Sequence, residues 1–228
     1  MTKHLERDME CLNTAILSLS SRVEGMIDRA MLALCERRMD VAEEVTSEDY
    51  DVDQEEIRIE EECLKMLALH QPVAVDLRRI TTVLKVNNDL ERIADLAVNI
   101  AERSQGFGRF PDFEIPEQIR EMSEAVVTML RGALDAFVKL DSRLARQIRL
   151  SDSEVDAYNV RIIEELQLVM QKHSELVVPA LHCFSAARHL ERIGDLATNI
   201  AEDVIYLVDG DIVRHQHIAV DPSSAQTT

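Results

Sequence analysis

Hydrophobic residues in the first part of the chain recur in steps that mostly alternate between four and three residues. This spacing places them on one face of an α-helix, and its regularity is typical of helices that pack as in a coiled coil. We therefore predict a long amphipathic helix with a buried face formed by Leu5, Met9, Leu12, Ile16, Leu19, Val23, Met26, Ala30 and Leu34.

The same periodicity predicts two further helices before the middle of the chain. One runs from about residue 49 to residue 70 and ends before Pro72, because proline cannot continue a helix. Another runs from about residue 75 to residue 104. The segment QGFGRFPDFEIP, residues 105–116, contains two Gly and two Pro and is predicted to be a linker.

Helical patterns resume in the second half, from about residue 117 to residue 208. Gly210 comes just after the last predicted helical residues and suits a helix C-cap. The final residues, 211–228, end in VDPSSAQTT and are expected to form a flexible tail.

The two halves of the chain repeat one another. LERIADLAVNIAE, beginning at Leu90, and LERIGDLATNIAE, beginning at Leu190, are identical at eleven of thirteen positions, at an offset of 100. Earlier in each half the offset is 103, and the matched pairs include Asp49 with Asp152, Asp53 with Asp156, Arg58 with Arg161 and His70 with His173. The change of offset is expected to fall in the turn before the last helix of each half.

This duplication predicts an all-α fold of two tandem, pseudo-symmetric three-helix bundles. The first repeat covers residues 1–104 and the second covers residues 117–210. Composition agrees, because six Gly and five Pro make up about 5% of the chain, against about 12% in an average protein. Such scarcity of turn residues, with few aromatic residues, excludes an all-β fold.

Charge and hydropathy limit the classes of function. The chain has 25 Lys and Arg against 43 Asp and Glu, a formal net charge of −18, which argues against a nucleic-acid-binding protein. No apolar stretch approaches the roughly 20 residues of a membrane span, and the N-terminal residues lack an export signal. The four cysteines have no CxxC spacing, so we expect reduced thiols in a cytoplasmic protein with no direct membrane insertion.

Acidic residues occur in pairs four residues apart, which places both members of each pair on one helix face. Each half has two such steps, and they fall at matching positions of the duplicated unit. Asn99 and Asn199 extend two of these stripes by another turn. The paired residues are Asp49 with Asp53, Glu91 with Asp95, Asp152 with Asp156 and Glu191 with Asp195.

Two interpretations of these pairs remain open on spacing alone. They form either an acidic face that water or nearby arginines neutralise, or oxygen ligands for a hard cation. Redox di-iron chemistry is disfavoured, since no His has an acidic residue three positions before it.

No phosphate loop or nucleophile motif is present, so we expect a protein that is not an enzyme. A metal-storage or hydrolytic metalloprotein, or a purely structural coiled coil, are the alternatives.

The repeated segments closely resemble the paired signature of the PhoU family of phosphate uptake regulators, and QPVAVDLRRI, residues 71–80, is similar to that family's QP-x-A-x-DLR stretch. The resemblance implies a cytosolic negative regulator of phosphate uptake and phosphate-starvation signalling. It also implies an adaptor that links the ATPase subunit of the Pst transporter to a sensor histidine kinase, and a homodimer.

The resemblance further implies divalent or iron metal ions, with iron, zinc, manganese and magnesium as candidates. Carried over residue by residue, the implied ligands are Asp49, Asp53, Glu91, Asp95, Asp152, Asp156, Glu191 and Asp195, with Asn99 and Asn199 as weaker additions. The halves differ near the signature, because Asp89 corresponds to His189 and Ala94 to Gly194. The second half also lacks the DLR segment. We therefore expect the two sites to differ in affinity or occupancy.

Overall fold

The structure, a computed structural model, describes residues 3–213. Within this range the chain forms six α-helices and no β-strand: α1 (Lys3–Glu36), α2 (Met39–His70), α3 (Ala74–Arg103), α4 (Gln118–Lys139), α5 (Ser142–Lys172) and α6 (Val177–Asp209). Helices α1–α3 pack together, as do α4–α6, which confirms the predicted pair of three-helix bundles. Most of the predicted tail, residues 214–228, lies outside the described residues.

The last helices of the two bundles, α3 and α6, pack against each other and run in opposite directions. In the first half of α3, the Lys85 ammonium lies 3.2 Å from the Asp203 carboxylate near the end of α6. Just beyond the end of α3, the Phe107 ring lies 5.9 Å from the ring of His182, near the start of α6. This arrangement relates the two halves by a pseudo-twofold axis that passes between the repeated signatures. Among the helices of residues 3–213, none is long and apolar enough to cross a membrane.

The first turn of each bundle is made without Gly or Pro. Arg37 and Leu140 occupy matching positions and adopt left-handed backbone angles, with φ of 58° and 53°. After Leu140, the Asp141 carboxylate caps α5 by accepting the backbone N–H groups of Arg143 and Leu144 at 3.0 Å. The corresponding residue before α2, Arg38, provides no side-chain cap. The start of α2 at Met39, ten residues before the predicted start, therefore has no marker in the sequence.

The change of offset between the halves coincides with the turn before the last helix of each bundle, where the sequence predicts it. A short 3₁₀ helix, Ser174–Leu176, directly precedes α6, so sixteen helical residues precede Leu190, as sixteen residues of α3 precede Leu90. The start of α3 at Ala74 therefore corresponds to Ser174, and His70 corresponds to His173. The three residues 71–73, between α2 and α3, have no counterpart in the second half.

The predicted linker packs against the protein core. Its first residues continue a short 3₁₀ helix, Ser104–Phe107, and the rings of Phe107 and Phe113 are both buried, with centroids 5.8 Å apart. The Arg37 guanidinium donates to the carbonyl oxygens of Pro111 and Phe113, both at 2.5 Å. Apolar burial and hydrogen bonds thus hold this connection against α1 and α6.

Replacement of two glycines by alanine, one at the end of α6 and one inside α1, should change the free energy of unfolding in opposite directions. Gly210 ends α6 with φ of 80°, where a Cβ atom is strained, so Gly210→Ala should cost about 1 kcal/mol of unfolding free energy. Gly25 lies inside α1, where an added Cβ meets only the Arg29 guanidinium at 3.7 Å, so Gly25→Ala should add about 0.5–1 kcal/mol. Urea unfolding of both variants measures this difference, and equal shifts would contradict it.

Candidate functional site

Four predicted ligands come together on α2 and α3 as the first carboxylate cluster: Asp49, Asp53, Glu91 and Asp95. The four-residue spacing stacks each pair on its helix, and α2 packs directly against α3. Partial burial and then the Asp95 and Asp53 carboxylates raise the pKa of Asp49. Partial burial and neighbouring carboxylates, Asp95 first, also raise the pKa of Glu91, and burial with Asp53 raises that of Asp95. The fold therefore holds like charges close together.

The remaining four predicted ligands form the second carboxylate cluster on α5 and α6: Asp152, Asp156, Glu191 and Asp195. Partial burial and then Asp156 raise the pKa of Asp152, while the neighbouring Thr198 hydroxyl acts in the opposite direction. Partial burial, followed by Glu191 and Asp152, raises the pKa of Asp195 to about 6. Both predicted clusters are thus assembled, at equivalent positions in the two halves.

Two residues beside the first cluster were missed by the sequence reasoning. Partial burial and then Glu60 and Asp53 raise the pKa of Glu56, which follows Asp53 by three residues on α2. The fully buried Asn87 donates from Nδ2 to both the carbonyl oxygen and the carboxylate of Glu56, at 2.9 Å each. The three-residue step from Asp53 could have suggested Glu56, whereas only packing places Asn87 there.

Cations approach the second cluster more closely than the first. The Arg188 guanidinium lies 2.8 Å from Glu191, and Arg149 lies 3.0 Å from Glu202, one turn beyond Thr198. Within residues 3–213, no ion pair involves a member of the first cluster. An arginine therefore neutralises Glu191 in the second half, whereas the corresponding Glu91 in the first half has no such ion pair among the described residues.

The position where Asp89 corresponds to His189 also differs between the halves. Asp89 forms an ion pair with Arg92 at 3.5 Å, whereas Nε2 of His189 lies 3.3 Å from the Ser185 hydroxyl oxygen. This asymmetry lies two residues before Glu91 and Glu191, the first carboxylates of the two signatures. The expected difference in affinity between the two sites stays a prediction.

A polar groove of about 310 Å³ between α3 and α6 joins the two clusters. Equivalent residues of both signatures line it, namely Arg92, Asp95, Leu96 and Asn99 with Arg192, Asp195, Leu196 and Asn199. Asn99 Nδ2 also donates to the carbonyl oxygen of Asp95 at 2.7 Å, so this amide is partly engaged with its own helix. One carboxylate of each cluster, Asp95 and Asp195, thus borders a shared surface together with Asn99 and Asn199.

The chemistry of this surface is that of carboxylate and amide oxygens, which suit hard cations. In the part of the chain that the structure describes, no three His, Cys, Asp or Glu side chains converge closely enough to hold a metal ion. Side chains one helical turn apart can approach one another by changing rotamer, since their Cβ atoms are about 5–6 Å apart.

Asp195 should make the metal-free protein less stable as the pH rises from about 4 to about 6. Its folded pKa of about 6 exceeds the usual 3.8, so the folded state binds the extra proton in this window. The stabilisation by this proton is present below the usual pKa of 3.8 and is lost as the pH rises through the folded pKa of about 6. Because the side chain is only partly buried, solvent screens the interaction and we expect only about 1 kcal/mol.

Urea unfolding in EDTA, at several pH values across this window, measures the effect. The Asp195→Asn variant should show a pH dependence flatter by about 1 kcal/mol, since it cannot titrate. Asp112→Asn, at an exposed position in the connection between bundles, is the matched control and should follow the wild type. Parallel curves for all three proteins would contradict the assignment.

Comparison with known proteins identifies the family. The family model described as "PhoU domain" matches residues 16–104 and 119–204. A protein of Aquifex aeolicus named "Phosphate-specific transport system accessory protein PhoU homolog" is 37% identical, over 94% of this chain and 97% of its own length. One from Pseudomonas aeruginosa, with the same name, is 36% identical over 94% and 91%.

Solved structures show the same fold. The crystal structure of PhoU from Pseudomonas aeruginosa matches with a TM-score of 0.85 and 35% identity, over 90% of this chain and 99% of that one. That of the phosphate transport system regulatory protein PhoU from Streptococcus pneumoniae matches with a TM-score of 0.86 and 27% identity, over 92% and 99%. With its repeated signature, its six-helix architecture and these matches along nearly its whole length, the chain belongs to the PhoU family.

Proposed function

We propose that this protein is an accessory protein of phosphate-specific transport that restrains phosphate uptake and phosphate-starvation signalling when phosphate is plentiful. Relatives named as accessory proteins of the phosphate-specific transport system match this chain along nearly their whole length. The role is that of a cytoplasmic adaptor, without catalysis, between the ATPase subunit of the Pst transporter and a sensor histidine kinase. The homodimer expected from the family resemblance is part of this proposal.

The observation that carries the site-level proposal is the pair of carboxylate clusters bordering one groove. Like charges that a fold holds together at raised pKa favour neutralisation by a cation. Asp53 with Asp95 in one half, and Asp156 with Asp195 in the other, would supply the first ligands. The donors are all oxygens, so they fit magnesium, manganese, iron or zinc rather than a site that requires thiolates.

Bound cations would supply charge neutralisation and would tie α2 to α3 and α5 to α6. Rotamer changes within each cluster would gather the carboxylates, because they do not converge in the described residues. Asn99 and Asn199 would add amide oxygens at the groove. A strongly acidic and rigid helical surface, with a formal charge of −18, then favours partners with basic patches.

Deletion of the gene tests the regulatory role. Cells without it, grown in ample phosphate, should express phosphate-responsive genes, and the wild-type gene should restore repression. An allele with both Asp95→Asn and Asp195→Asn should restore it poorly if cations organise the partner surface, whereas Asp112→Asn should restore it fully.

Two outcomes would count against the proposal. If phosphate-responsive genes stay repressed in the deletion strain, the regulatory role is wrong. If metal-loaded protein hydrolyses phosphate esters and Asp95→Asn abolishes turnover, the protein is a hydrolytic metalloprotein. A pull-down from cells grown in high phosphate, with metal analysis of the same sample, tests the partners and the cation together.

A further inference from the structure

A groove between α4 and α5 carries acidic side chains without a charge partner. It has a volume of about 330 Å³ and is lined by Glu121, Glu124, Ala125, Thr128, Met129, Ile148, Ser151, Glu154 and Tyr158. Its three glutamates are solvent-exposed, and none forms an ion pair within residues 3–213. This groove is separate from both carboxylate clusters.

The first bundle fills the equivalent place with its own arginines. The Arg22 guanidinium, on α1, lies 3.5 Å from both Glu48 and Asp51 on α2. About two turns further along α1, Arg29 also pairs with Glu48. Two guanidinium groups of the same chain therefore bridge α1 and α2.

The second bundle lacks both arginines but keeps an acceptor. The matching helix ends, Glu36 with Lys139 and Met39 with Ser142, confirm that the offset here is 103. At this offset, Arg22 corresponds to Ala125 and Arg29 to Gly132. The Ile148 side chain packs so closely on Gly132 that a Cβ atom there would lie 2.4 Å from its terminal methyl, so any side chain at this position would require Ile148 to move.

Apart from one, the groove carboxylates of the second bundle lie at different positions from those that bind the two arginines in the first bundle. Asp51 corresponds to Glu154, so one acceptor is retained on the second helix of the bundle. Glu48 corresponds to Ser151, and α4 instead provides Glu121 and Glu124, where α1 has Ser18 and Ser21. The second bundle has thus exchanged its internal guanidinium groups for an open groove with acceptors on both walls.

We propose that the α4–α5 groove binds the guanidinium group of an arginine side chain presented by a partner protein. A guanidinium is planar and has five donors, so it can bridge carboxylates on two helices as Arg22 does within the first bundle. Met129, Ile148 and the ring of Tyr158 offer apolar contact to the arginine stem.

An organic cation fits this groove better than a metal ion. The glutamates belong to two different helices, with Glu121 and Glu124 on α4 and Glu154 on α5, and apolar side chains line much of the cavity between them. The wide, partly apolar cavity instead suits a flat cation with a hydrocarbon stem. The proposal goes beyond the phosphate-related role and is independent of the carboxylate clusters, so either can fail without the other.

Titration with N-acetyl-arginine amide, followed by NMR, tests the proposal with a defined probe. N-acetyl-citrulline amide is the control ligand, because it has nearly the same shape but no charge. We expect the arginine compound alone to shift the amide resonances of the groove residues, with an affinity in the millimolar range. Glu154→Gln should weaken binding roughly fivefold, as loss of one exposed ion pair.

A variant that refills the groove makes the test decisive. Ala125→Arg restores the residue found in the first bundle, four residues after Glu121, so it should pair internally and abolish binding of the probe. Glu43→Gln, at an exposed position on α2, should leave binding unchanged. Equal shifts with both ligands, or undiminished binding to the Ala125→Arg protein once its circular dichroism shows that it is folded, would overturn the proposal.

Discussion

Truncation of Phe107 to alanine is expected to lower the free energy of unfolding by about 3–5 kcal/mol. This side chain is fully buried, and its ring lies between Phe113 and His182, with centroids 5.8 and 5.9 Å away. Its loss removes apolar contacts and leaves a cavity where the connection between the bundles meets α6. Urea denaturation of the wild type and the variant measures the change directly.

Phe184→Ala is the matched control for this prediction. The Phe184 ring is 37% exposed, so the same truncation removes less buried surface and should cost roughly half as much or less. If Phe107→Ala costs under about 1 kcal/mol, residues 105–116 act only as a tether. A large cost would instead show that the connection is part of the common core of the two bundles.

Saturation with a divalent cation should raise the melting temperature, and EDTA should lower it. A ligand that binds only the folded state at 100 times its Kd adds about 2.7 kcal/mol per site. For a protein of this size, that corresponds to a shift of roughly 5–10 °C. The physical reason is relief of repulsion within the two carboxylate clusters, where partial burial and then neighbouring carboxylates raise the pKa of Asp49, Glu91 and Asp195.

Variants separate this effect from general screening of an acidic protein. Asp95→Asn together with Asp195→Asn should remove most of the shift, whereas Asp112→Asn should keep it. Calorimetry with magnesium, manganese, zinc and iron(II) in turn identifies the preferred ion. If the melting temperature does not respond to any of them, the clusters are merely a solvated acidic face.

Much of the fold follows from local patterns in the chain. Apolar steps of three and four residues specify which face of α1 is buried, and Leu5, Ile16 and Leu34 are indeed buried there. The two copies of the signature, at Leu90 and Leu190, specify the duplication. Pro72 and Gly210 mark the ends of α2 and α6 because proline and glycine have distinctive backbone angles.

Boundaries without such residues could not be predicted. Arg37 and Leu140 adopt left-handed angles that their side chains do not favour, so the surrounding packing must impose these turns. The linker was recognised from its Gly and Pro residues. The burial of Phe107 and Phe113 depends on α6, which is far away in the sequence.

The sequence by itself determined the helical class, the duplication and the helix-face pairing of the acidic residues, because these depend on spacing within about one helical turn. Only the tertiary structure decided that both clusters border one groove and that Asn87 holds Glu56. It also decided that arginines cross between helices in the first bundle, whereas the second leaves a groove open. These features depend on contacts between distant helices, and the distance between two helices is set by the packing of their buried side chains.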